Sequence, residues 1–373
     1  MSNNLKPALR FPLLFLGVMS LIVGVLAGIG RLGIEVPEMV LGQLAYHGVL
    51  MVAAFFGTVI GLERAVAIGQ RWAYLAPLLT GLGGATLLAG VVPAIAMTLI
   101  TTGNVIFVFV SLRVLAVQFA TYNLILLTGA IALLIGDGLL INTLSVDMAL
   151  YWWMAFLLLT IAGERLELSR LAIRDRIRRV LLAVLSMIPM LGAMGGLAID
   201  VHLGSLLFAF GMAAIAIWLL KFDVARRTVL QTGLTRFTAV CMLTGYSWLL
   251  LAALLLTAYL FNWPFGTRDA ALHSFFLGFV FSMVLGHALI IFPAVTRLRI
   301  PWSAAFYLPF VILQISLLMR VGAGMTQQFS LMRTGALLNA VALALFVLFL
   351  IGQVVRTNIF NRRKPDVARK LTE

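Results

Sequence analysis

Charge is scarce in this chain. Of its 373 residues only 11% are Asp, Glu, Lys or Arg, against about 25% in ordinary soluble domains. Acids are the rarest charged class, 13 against 27 basic residues, and cysteine occurs once, at Cys241. One cysteine excludes intramolecular disulfides and cysteine-rich metal sites. Polar linkers, low-complexity tracts and long hydrophilic loops are missing as well. Together these absences exclude a soluble enzyme, a disordered tail protein and a disulfide scaffold.

What is present is apolar sequence. Hydrophobic residues make up 62% of the chain and the mean hydropathy is +1.09. They fall into runs of about 20, each long enough to cross ~30 Å of hydrocarbon, which predicts a polytopic all-α membrane protein. Twelve spans are expected, over 11–30, 40–61, 73–92, 95–116, 121–141, 147–166, 180–199, 202–221, 236–259, 270–294, 303–322 and 334–355. Residues 1–373 then form one integral membrane domain. The N-terminal MSNNLKPALR enters the first run without a small-residue cleavage signature, so no removable signal peptide is expected.

The net charge of +14 is a topology signal rather than a nucleic-acid footprint. With the N-terminus inside, all but four of the 27 basic residues collect at cytoplasmic ends and loops; the outer side keeps Arg31, Arg268, Arg320 and Arg333. Both termini are expected in the cytoplasm. The outer loops carry acids instead: Glu35, Glu38, Asp147, Asp200 and Asp269. The stretch from Arg165 to Arg179 is amphipathic and basic, suited to the anionic inner leaflet. Short loops make sequential helices antiparallel neighbours, and Gly81, Gly83, Gly84, Gly192, Gly195 and Gly196 let them approach closely.

A four-span echo runs through the chain. The second span ends on Gly61-Leu62-Glu63-Arg64 and the sixth on Gly163-Glu164-Arg165, and the tenth carries Gly286-His287. Thr58, Thr160 and Ser282 precede these endings. Three four-helix units around a pseudo-threefold axis would produce this pattern.

Polar groups inside hydrocarbon are costly, so they mark where function sits. His47 lies early in the second span and His273 near the outer end of the tenth, both in the outer third. Facing helices would bring the two imidazoles to one level, across a low-spin haem iron bordered by Phe55, Phe56, Phe275, Phe276, Phe279 and Met51. Gly48 leaves room for a flat ring beside His47. The plainer reading is that each histidine hydrogen-bonds a neighbouring helix. His202 reads as a solvated helix end. Counted as ideal α-helix, His273 and His287 share a face at depths ~21 Å apart and cannot bind one metal. Glu63, Glu164 and His287 form a second, inner constellation, able to hold a divalent metal or pass protons. The plainer reading pairs Glu63 with Arg64 or Arg71 and Glu164 with Arg165. Asp137 and Asn104 are further candidates for a polar path.

His-Gly-x-x-Met, here His47-Gly48-Val49-Leu50-Met51, resembles the helix II haem-ligand motif of haem–copper oxidase catalytic subunits. His273 is likewise similar to the helix X ligands of that superfamily. The resemblance implies a haem–copper-oxidase-like bundle with His47 and His273 as axial ligands of a low-spin haem b, and Gly48 and Met51 beside it. The sixth and seventh spans lack the copper-site histidines, and His273 is followed by Ser274 and Phe275 rather than a second ligand. Neither copper nor conventional oxygen reduction is therefore expected. The chain looks more like the divergent branch containing NnrS-type membrane haem proteins. That implies electron transfer, or nitric-oxide-related redox chemistry or sensing, in a bacterial inner membrane, with an electron donor or acceptor protein as partner. The alternative from another class is a secondary transporter of a small solute, though such proteins usually show a six-span repeat.

Overall fold

The computed structural model describes residues 4–169 and 176–357 and, among them, is all-helical. Of the interfacial stretch expected between Arg165 and Arg179, residues 170–175 lie outside these, and the rest belongs to the ends of two long helices, Val146–Ser169 and Arg176–Ala198. The basic residues Arg362, Arg363, Lys364, Arg369 and Lys370 lie outside the described residues altogether.

Twelve long helices follow one another: α1 (Phe11–Gly30), α2 (Val49–Ile68), α3 (Leu75–Leu88), α4 (Pro93–Val117), α5 (Thr121–Thr143), α6 (Val146–Ser169), α7 (Arg176–Ala198), α8 (Val201–Phe222), α9 (Gly233–Leu260), α10 (Arg268–Thr296), α11 (Tyr307–Met325) and α12 (Phe329–Val355). Among the described residues, eleven of these are long and apolar enough to cross a membrane. The exception is α3, where a span over 73–92 was expected. Its 14 residues are preceded by a 3₁₀ turn at Arg71–Tyr74 and followed by a left-handed turn at Gly90. At 1.5 Å per residue it is about 21 Å long.

Sequential helices pack against one another, and α1 also touches α12. Short connections leave consecutive helices no other place to go. Close approach is confirmed at two hairpins: a Cβ on Gly83 would sit 2.8 Å from the Ala96 carbonyl oxygen, and one on Gly192 would sit 2.6 Å from the Phe208 nitrogen. Within this arrangement α2 contacts both α6 and α10.

Two boundaries differ from expectation in a way that matters. The second span was expected over 40–61, but α2 begins at Val49 after a short helical turn at Leu44–Tyr46 and continues to Ile68, where Gly69 at φ +68° stops it. Glu63 and Arg64 are therefore inside the helix rather than at its end. The second difference is in helical type. Residues Val49–Phe56 of α2 and Ser274–Phe281 of α10 are π-helical, the first starting two residues after His47 and the second directly after His273. The corresponding helix α6 is α-helical throughout. π-Turns are rare and concentrate at functional sites, because their wider winding redirects side chains. The α-helical count that related His273 to His287 does not hold across such a segment.

The glutamate pairings are also rearranged. Glu164 of α6 binds Arg64 of α2, not its neighbour Arg165. Arg165 instead makes two hydrogen bonds to Asp223, at 2.9 and 3.1 Å, with side chains only 4% and 0% exposed. A bidentate guanidinium–carboxylate pair satisfies the directional needs of both ions at once. Breaking it from one side strands a charge, which costs about 3–5 kcal/mol. Asp223→Asn should therefore lower unfolding stability by about that amount, while the double change Arg165→Met, Asp223→Leu should lose distinctly less. Denaturant unfolding of the detergent-solubilised protein checks the order, and a fully stable Asp223→Asn protein would contradict it.

Candidate functional site

His47 and His273 line the same cavity, of about 700 Å³, between α1, α2, α6, α10, α11 and α12. That volume lies within the ordinary range of ~300–1,000 Å³ for small-molecule sites. Gly48 and Met51 line it too, with Phe56, Phe276 and Phe281. Each imidazole is held through one nitrogen. His47 Nδ1 lies 2.7 Å from the Gly24 carbonyl oxygen of α1. His273 Nδ1 lies 2.9 Å from the Asp269 carbonyl oxygen and 3.0 Å from Asp269 Oδ1. All of these acceptors demand a proton on Nδ1, which leaves Nε2 of both rings as the lone-pair nitrogen. This is the tautomer that suits a metal ligand, with the far nitrogen oriented by carbonyl or carboxylate.

Asp269 is in turn held by Arg320 of α11, whose Nε and terminal nitrogen reach Oδ2 and Oδ1 at 2.9 and 2.7 Å. The carboxylate thus orients an imidazole while a buried guanidinium balances its charge. Arg268 pairs with Asp147 across α10 and α6. Arg31, Arg268 and Arg320 all line the cavity. These are three of the four basic residues that the charge count leaves on the outer side, and being exceptions was the signal that marked them.

The glycine that makes room is not the expected one. A Cβ on Gly48 would meet Val146 and Trp153 at ordinary distances of 3.4 and 3.7 Å. A Cβ on Gly28 would sit 2.7 Å from His47 Cε1. Gly28 on α1 is thus the seat of the imidazole, and nothing in its sequence context distinguishes it from other membrane glycines.

A second cavity, of about 530 Å³, lies against the opposite side of Phe56 and Phe281. Phe55 stacks on Phe281 at 6.3 Å and 11°, and Phe56 meets the same ring edge-on at 5.7 Å. Glu63, Glu164 and His287 all line this second cavity, with Arg165. They do not form a metal centre: among the described residues no group of three or more His, Cys, Asp or Glu side chains is placed to hold an ion. His287 Nδ1 is 2.8 Å from the Met283 carbonyl oxygen, and its Nε2 faces Arg165 at 3.5 Å. Arginine only donates, so that nitrogen serves as an acceptor. Glu63 makes no hydrogen bond or ion pair among the described residues, contrary to the expected pairing with Arg64 or Arg71.

Asp137 and Asn104 come together deep in the bundle. Asn104 Nδ2 donates to Asp137 Oδ2 at 2.6 Å and Trp153 Nε1 to Oδ1 at 3.0 Å. Trp153 lines the histidine cavity, so this cluster buttresses one of its walls. His202 is exposed and caps Leu260 through Nε2 at 3.0 Å, away from either cavity.

The glycine contrast is testable. Gly28→Ala forces the His47 ring to move and should cost about 1–3 kcal/mol, as overpacking does, whereas Gly48→Ala should cost well under 1 kcal/mol. Unfolding of the two variants side by side checks this, and equal losses would show that Gly28 does not seat the ring.

A family model described as Domain of unknown function (DUF8744) matches residues 10–355. No curated protein matches the chain, and no solved structure does. With the match running from the residue before α1 to the last residue of α12, the chain belongs to the DUF8744 family.

Proposed function

We propose that this protein is a membrane haem protein that holds one low-spin haem b between His47 and His273. The observation that carries the reading is the matched pair of imidazoles on one cavity, each with Nδ1 committed to an oxygen acceptor and Nε2 left for a ligand. The walls fit the same group. Phenylalanine faces, Val25, Val52 and Leu272 suit an apolar macrocycle, and Arg31, Arg268 and Arg320 suit carboxylates at its edge. Met51, whose thioether packs on Gly24, completes the apolar wall. When bound, a bis-imidazole haem supplies one-electron redox chemistry.

The chain's own part in this reading is positional. Gly24 and Asp269 set the imidazole tautomers, Arg320 orients Asp269, and Trp153 with Asp137 stiffens the wall. In this reading α3 completes twelve crossings of a bacterial inner membrane, arranged as in haem–copper oxidase catalytic subunits, with no copper site. The role that follows is electron transfer, or redox chemistry or sensing connected with nitric oxide, coupled to a donor or acceptor protein.

The test is spectroscopic. Purified protein should give a reduced-minus-oxidised b-type spectrum and contain no stoichiometric copper. His47→Ala and His273→Ala should each abolish the low-spin signature, since either loss leaves the iron one ligand short. Asp269→Asn should retain the spectrum but weaken haem affinity roughly 10–100-fold, the usual scale for a lost outer-shell partner. A folded protein that carries no haem, or normal low-spin spectra from both histidine variants, would end this reading.

A further inference from the structure

The second cavity has a different chemistry from the first. Its walls are almost wholly apolar, built from Leu14 and Val18 of α1, Leu157 of α6, Ile291 of α10 and Phe346 and Leu350 of α12. Phe15, Leu168 and Ile351 line it and are at the same time exposed on the outside of membrane-crossing helices. An opening framed by such residues faces hydrocarbon, so its occupant arrives from the bilayer.

Polar character is confined to one end, and most of it is already committed. Glu164 is bound by Arg64, and Arg165 is bound by Asp223. His287 is tied to Met283 and turns its acceptor nitrogen to Arg165. Among the described residues, what remains without a hydrogen bond or ion pair at this end is the carboxylate of Glu63. A carboxylate in an apolar cavity needs a donor, and leaving it without one is expensive. It repels an anionic head. Arg64 and Arg165 are each already paired with a carboxylate, and the almost wholly apolar walls offer a strongly hydrated cationic head nothing to replace its water. A neutral head bearing a hydroxyl donor satisfies both constraints. The wall formed by Phe55, Phe56 and Phe281 offers ring faces and edges to a flat aromatic head.

We propose that the Glu63 cavity binds a lipid-soluble hydroquinone, which enters between α1, α6 and α12 and donates a ring hydroxyl to Glu63. The site does not depend on the histidine pair: the two cavities share only the dividing residues Phe56, Phe281 and Leu343. When ionised, Glu63 only accepts, so in that form of the site the hydroquinone binds more tightly than the corresponding quinone, whose carbonyls also only accept.

The experiment is anaerobic titration calorimetry of the purified full chain in nanodiscs with ubiquinol-1 and ubiquinone-1. The expected result is one saturable site preferring ubiquinol-1. Glu63→Gln should weaken ubiquinol-1 about tenfold and erase most of the preference, as loss of a charge-assisted hydrogen bond does. Ala288→Trp, which fills the cavity, should remove binding, with thermal unfolding confirming that the variant is folded. Should that variant misfold, Glu63→Gln decides alone. Binding by His47→Ala protein should equal wild type, which separates this proposal from the haem reading. No saturable binding, an unchanged affinity in Glu63→Gln, or displacement of ubiquinol-1 by dodecylamine would overturn it.

Discussion

A polar side chain inside a membrane has no water to fall back on, and this molecule depends on how each such group finds its partner on another helix. The most consequential case is Asp269. Its carboxylate receives Arg320 from α11 and His273 from its own helix, so one group binds α10 to α11 and sets the orientation of an imidazole. Arg165 and Asp223 do the same for the other half, joining α6 to the C-terminal end of α8. Asn104, Asp137 and Trp153 tie α4, α5 and α6. Non-directional apolar packing makes the bundle compact; these pairs decide its register.

Against that background the unpaired groups carry meaning. Among the described residues, Nε2 of His47 and His273 and the carboxylate of Glu63 are acceptors without a hydrogen bond at the two cavities. Each lies beside a wall of phenylalanine and aliphatic side chains. The π-helical segments contribute to both sites. They begin one or two residues after the histidines and end at Phe56 and Phe281, the aromatic residues that face both cavities. A wider helical turn uses more residues per rotation than an α-turn, which aims a histidine and a phenylalanine eight or nine positions later toward a common interior. The same device on α2 and α10, and its absence from α6, makes the resemblance of those two helices closer than the three-way echo in the sequence.

Two cavities divided by a pair of aromatic rings also suit one another chemically. Under the proposed reading the first holds a one-electron centre and the second a lipid-soluble reductant, with Phe56 and Phe281 between them. The polar residues are arranged accordingly. In that reading the arginines lining the histidine cavity would take the carboxylates of its ligand, and the apolar opening of the Glu63 cavity would admit a neutral amphiphile.

The sequence by itself determined the class of the protein and the positions of most helices, because span length and hydropathy are local properties set by the thickness of hydrocarbon. It also singled out His47, His273, Glu63, Glu164 and His287, since an ionisable group in an apolar run is conspicuous without any structure. It named the three cavity arginines only as exceptions to a charge count. What tertiary structure alone decided were the partners. Glu164 takes Arg64 from a helix a hundred residues away in preference to adjacent Arg165, because residues next to each other on a helix point in different directions. Gly28 seats His47 across an interface that no local pattern describes. The shortness of α3 and the π-turns of α2 and α10 are likewise responses to packing, invisible to a hydropathy window. Hydrophobicity is read along the chain, but complementarity exists only between helices, and the candidate sites are made of complementarity.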